Sequence, residues 1–350
     1  MMRVWLIIGL FMLVYQVQAI VIGSNTVVSI QGNVVFPAGD VDNEIRGFAY
    51  MQSGFSLQNN VTTCLYNAFF PVNGPVNLNN GTLTLNRDLF LSSGSTLGTG
   101  GVISGGNRAL VLPDSQTAYA ISNPITINNA TITLRSNVVL TSTVTLGGTC
   151  YIDGNGYTID CTMGALVVAA NANVTLAHLT LDGVAATNVS CAASTSILTL
   201  TDLTWIQGAD YTFSQGSMRW QEKVLVKGGH TFTYSTGVQG TIMSYAELVF
   251  EEGTTFSYTA SLKDRLAFED ETAHLHLIKA TLHSGTPGIR LTKGTGIIEG
   301  QCYFESDAAM QSDALELGDG ISSANNFTLV ECAASGVTLG SGFLVYNNLP

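Results

Sequence analysis

The sequence predicts an all-β chain wound as a single parallel β-solenoid. The first observation behind this is a repeated pattern. Val174, Leu176, Leu179 and Leu181 form one copy; Leu198, Leu200, Leu203 and Trp205 form the next, about 24 residues later. In each copy two apolar residues alternate with a polar one, two small or polar residues intervene, and a second alternating pair follows. Period-2 alternation marks a strand with one buried face. The intervening residues break the alternation, so each copy reads as two short strands meeting at a bend over a shared core. The second observation is compositional. Only 11% of the 350 residues are charged, against about a quarter in ordinary globular chains. Hydrophobic residues make up 46%, enough for a large core, and the surface must be covered by Thr, Ser, Asn and Gly. The 37 glycines and 7 prolines suit turns that recur without disorder.

The elements follow in order. Residues 1–19 read as a secretory signal peptide. Arg3 gives a positive start, an apolar run of about twelve residues follows, and Val17, Gln18 and Ala19 fit a small-x-small cleavage site. That run is shorter than the roughly twenty residues a membrane helix needs. No later stretch is apolar enough to span, so no transmembrane span is expected in the mature chain. Residues 20–75, with strand candidates at 26–30 and 34–36, are expected to cap the open end of the solenoid, whose edge strands would otherwise pair with other chains.

Coils are expected over 76–350 as one continuous stretch, since no linker or charge block divides it. Val76, Leu78 and Leu83 begin the pattern, and Ile125, Ile127, Ala130 and Ile132 repeat it. Val144, Leu146, Cys150 and Ile152 follow, then the two clear copies. Weaker first strands at 224–226 and 248–250 lead to Leu275, Leu277, Ala280 and Leu282, and to Phe327, Leu329 and Cys332. About ten coils of roughly 20–30 residues result. Aligning the copies places His178, Asp202, Lys279 and Glu331 in one column at the bend, on an outer edge. Trp205 takes an inward slot.

The turn at Asp153 and Gly154 between Ile152 and Ile159, followed by the copy from Val174 to Gly183, resembles the coils of the pectate-lyase-like superfamily of right-handed parallel β-helices. The resemblance implies a right-handed β-helix. Because that superfamily mixes lyases, hydrolases, adhesins and scaffolds, it does not choose a function. Similar hydrolases carry Asn-Thr-Asp, Asp-Asp, Gly-His-Gly and Arg-Ile-Lys elements on neighbouring coils. The first three are missing here, and Arg290 with Lys293 is a loose echo of the fourth. Similar lyases hold calcium through several aspartates and use a basic residue to take the proton. The nearest set here is Glu269, Asp270 and Glu271, with Asp264 nearby and Arg290 as the basic group. Contiguous residues alternate faces, so at most two of these acids can converge; the alternative is a solvated loop.

Other candidates each have a structural alternative. His274 and His276 flank Leu275 and should point outward, where two imidazoles at i and i+2 could hold a metal given a third ligand. Tyr211 and Trp220 belong to an aromatic-rich stretch that either offers rings to a glycan or stacks in the core. Cys150 and Cys161 flank one turn and are either a disulfide or core-filling thiols.

A net charge of −12 leaves no basic footprint for nucleic acid, and no cofactor motif is present. The incomplete catalytic set points away from an enzyme. The expectation is therefore a secreted or cell-surface protein with a structural, adhesion or binding role, its partner a polysaccharide or a host or cell-surface glycan. The competing readings are a polysaccharide lyase or glycoside hydrolase with a diverged site, and a carbohydrate-binding module.

Overall fold

The computed structural model describes residues 82–85, 88–91, 95–97, 101–186, 188–307, 315–340 and 345–347, together with short strands between 21 and 77. The expected signal peptide, 1–19, lies outside the described residues, as does most of the expected cap, 20–75. The chain is all-β and forms a parallel β-solenoid of about ten turns. Among the described residues no helix is long and apolar enough to cross a membrane. The chain divides into two compact units, 1–145 and 146–350.

In the first unit, Thr82–Leu85 pairs in parallel with Val102–Val111, and that strand with Ile125–Thr133. Leu83, Ile103 and Ile127 are register partners in one inward row, all buried. Asn107 and Asn129 take left-handed backbone, with φ of 64° and 52°, a conformation asparagine tolerates better than most residues.

In the second unit the expected repeat is met in register. Cys150, Val174, Leu198 and Met218 stack in one inward row. Ile159, Leu181, Trp205, Val226, Phe250, Leu277 and Ile298 form a second. Tyr211, Phe232, Phe256, Leu282 and Phe304 form a third. All are buried. Rings meet both between rows and within them: Phe232 lies edge-on 5.7 Å from Trp205, and Tyr258 is stacked on its register partner Tyr234 at 6.1 Å.

The bend has a definite cause. His178 has φ of 53° and Asp202 of 43°. One left-handed residue lets both of its neighbours face inward, as Ala177 and Leu179 do at 0% and 4% exposure. Lys279 (φ 47°) repeats the conformation. Glu331 does not: it ends the strand Thr328–Glu331, opposite Ile298, and the left-handed residue of that longer turn is Ala334.

Cys150 and Cys161 hold thiols, not a disulfide. Both point into the core. Cys150 Sγ donates to Gly147 O at 3.2 Å. Burial pushes the Cys161 thiol up to about 12, with Asp160 and Asp182 adding to it.

Candidate functional site

The site begins with coil spacing. His178, Asp202 and Glu222 (φ 52°) occupy the left-handed bend on three successive coils of the second unit. One ligand atom from each lies within 4.8 Å of the others. Beside them runs an open groove of about 310 Å³, lined among others by Thr180, Thr204, Lys223 and Leu225. Thr158, Thr180, Thr204 and Leu225 are register partners on the outer face. The groove is therefore lined by a short ladder of hydroxyls with an apolar side chain at one end. Gly154 allows the close approach of the preceding coil: a Cβ there would lie 2.2 Å from Leu179 Cβ and 2.7 Å from His178 O. That approach brings Asp153 Oδ1 within 3.2 Å of His178 Nδ1.

The bend column was legible at His178 and Asp202, which the sequence pattern aligns. Glu222 was missed. Two residues, Glu222 and Lys223, stand opposite Asp202 alone, because the register shifts between Thr201–Gln221 and Leu203–Val224. A fixed-spacing alignment steps over such a bulge.

The acids and the base expected from the resemblance have other partners. Glu269 Oε2 accepts hydrogen bonds from Ser244 N at 2.8 Å and Ser244 Oγ at 3.0 Å. Asp270 accepts from Ser244 Oγ at 2.5 Å and from Thr272 N at 2.9 Å. The bond from Ser244, and then those from Thr272, hold the Asp270 carboxyl below its usual range. Both acids thus fasten a turn. Asp264 and Glu271 are exposed. Arg290 is held in an ion pair with the buried Glu316, Nη2 to Oε1 at 3.0 Å.

His274 and His276 point outward, as the alternation predicts, with Leu275 and Leu277 in the core. His276 Nδ1 meets Glu247 Oε1 at 2.8 Å and its Nε2 faces Glu299 Oε2 at 3.2 Å. The ring thus lies between carboxylates of the coils on either side. Burial works to raise the Glu247 carboxyl, but the hydrogen bond from His276 and the charge of Lys223 outweigh it, and it lies below the usual glutamate range. A folded value below the unfolded one stabilises the fold above the ordinary glutamate range. That contribution is lost as pH falls through the folded value. The gap in Tm between wild type and Glu247→Gln is expected to shrink as pH is lowered from about 5.5 to about 3. A gap that stays constant across that range would show that this carboxylate does not carry the effect.

Tyr211 and Trp220 are 0% and 1% exposed. The reading that placed their rings beside a groove is corrected: both slots are inward. Tyr211 satisfies its hydroxyl on Val189 O at 2.5 Å.

Ser257, His283 and Asp307 form a chain across three coils, Oγ to Nδ1 at 3.0 Å and Nε2 to Oδ1 at 3.4 Å. Ser257 is only 6% exposed. The hydroxyl is closed to a polymer, and the chain ties neighbouring coils together.

No family model matches the chain, and neither a curated protein nor a solved structure matches it. Fold and groove define its class, a parallel β-solenoid with a lateral groove on its second unit.

Proposed function

We propose that this chain is a secreted or cell-surface β-solenoid that binds a polysaccharide or cell-surface glycan in the groove beside His178 and Asp202, without turning it over. The observation that supports this is the juxtaposition of Thr180 and Thr204 with Leu225 in one open groove. Stacked hydroxyls meet the hydroxyls of an extended sugar chain, and the apolar side chain meets a pyranose face. A role in binding fits the site better than hydrolysis. Asp202 and Glu222 are both exposed, whereas a general acid is tuned by enclosure in a pocket.

The test is a binding screen of the purified chain against neutral and acidic polysaccharides, with reducing ends and unsaturated products followed in parallel. Retention on at least one glycan is expected. A double Thr180→Ala, Thr204→Ala variant is expected to weaken it about tenfold or more, since two hydrogen bonds of about 1 kcal/mol each are lost. Binding that the double variant leaves unchanged would move the site elsewhere. Turnover abolished by Asp202→Asn would replace binding with hydrolysis.

A further inference from the structure

We propose that His178, Asp202 and Glu222 bind a single divalent cation of the zinc and manganese type. Each side chain contributes one ligand atom, and these atoms lie within 4.8 Å of one another. All three sit at the same left-handed bend position of successive coils, so their spacing is set by the stacking of the solenoid and not by a mobile loop. Bonds of about 2.0–2.2 Å to a tetrahedral ion place ligand atoms about 3.4 Å apart. The exposed Asp202 and Glu222 side chains reach that separation by rotamer adjustment of about an ångström.

The independent observation is Asp153, which belongs to the preceding coil and lies outside the three ligands. A carboxylate only accepts, so His178 Nδ1 donates to Asp153 Oδ1 at 3.2 Å. This leaves the lone pair on Nε2, and it holds the ring in one orientation. A carboxylate behind a histidine is the usual support of a metal-bound imidazole. The charge balance agrees. Asp153, Asp202 and Glu222 gather at the edge, and the adjacent cation, Lys223, is directed to Glu247 at 3.4 Å.

The donor set names the class of ion. One nitrogen and two carboxylates suit zinc or manganese, whereas calcium wants six or more oxygens. Three protein ligands leave at least one coordination position open to solvent or to an oxygen of a groove ligand. The cation site rests on the glycan reading only for what fills that position.

Calorimetric titration of the intact chain with Zn²⁺ alone, checked with Mn²⁺ and Ca²⁺, tests the site apart from any glycan. One Zn²⁺ per chain is expected, with Ca²⁺ at least about a hundredfold weaker. His178→Asn keeps a residue that tolerates left-handed backbone and is expected to abolish binding. Asp202→Asn and Glu222→Gln are each expected to weaken it at least tenfold. Asp153→Asn, a change to a positioning residue, should weaken it about 10–100-fold, while the remote Glu269→Gln leaves it unchanged. Circular dichroism confirms that each variant folds. Absence of saturable Zn²⁺ binding to the wild type overturns the proposal, as does wild-type affinity in folded His178→Asn and Asp202→Asn chains. Neither result touches glycan binding measured without metal.

Discussion

Trp205→Ala is expected to destabilise the second unit by about 3–5 kcal/mol, the range for removing a large aromatic side chain from a core. The indole is fully buried. It meets Tyr211 edge-on at 4.9 Å and Phe232 at 5.7 Å, and Phe232 in turn meets Phe250 at 5.9 Å. Each such ring pair adds about 0.5–1.5 kcal/mol to the area it buries. The coils above and below are held by their own ladders and cannot collapse into the space, so most of the cavity persists. Trp205 Nε1 has no hydrogen-bond partner, so Trp205→Phe removes an unsatisfied donor while keeping a ring. It is expected to cost less than half as much. The measurement is the urea midpoint of each variant by circular dichroism. An alanine variant within about 1 kcal/mol of wild type would show that the neighbouring rings repack, and the column would lose its status as the centre of the core.

The same repeat explains what the sequence shows and what it hides. Trp205 is legible as core because it falls two residues after Leu203 in a pattern already seen at Leu179 and Leu181. His178 and Asp202 are legible as an edge column because their two coils have matching spacing and matching register. Glu222 is hidden because a single bulge precedes it, and Glu331 is misplaced because its turn is longer than the others. Tyr211 and Trp220 are ambiguous in sequence because alternation tells which residues share a face, not which face is inside. Their neighbours in the adjacent coils, Phe232 and Ile242, settle the matter only once the strands are paired. The roles of Glu269 and Asp270 are hidden for another reason. Their partner Ser244 lies one coil back, and nothing in an acidic run distinguishes a turn fastener from a ligand.

Glu316→Ala is expected to cost about 3–5 kcal/mol, the penalty for breaking a buried ion pair and leaving its partners uncompensated. The Glu316 side chain is 4% exposed and receives both Lys263 Nζ and Arg290 Nη2. Arg290 and Glu316 are register partners of neighbouring coils, in Ile289–Leu291 and Leu315–Leu317. Lys263 reaches the same carboxylate from a more distant part of the chain. The two cations are 30% and 28% exposed, so water can solvate them in part after the change. The loss should therefore fall toward the lower end. Replacing all three residues with apolar ones of similar size is expected to recover most of it, because desolvation of the charges then disappears together with their attraction. The pair of measurements separates two roles for Arg290. As a structural cation it makes Arg290→Met lower the urea midpoint, with a smaller further effect once Glu316 is apolar. As a functional base it would leave the midpoint unchanged and alter turnover alone. Additive effects of Arg290→Met and Glu316→Ala would show that the two charges are not coupled, since contacting partners give non-additive cycles.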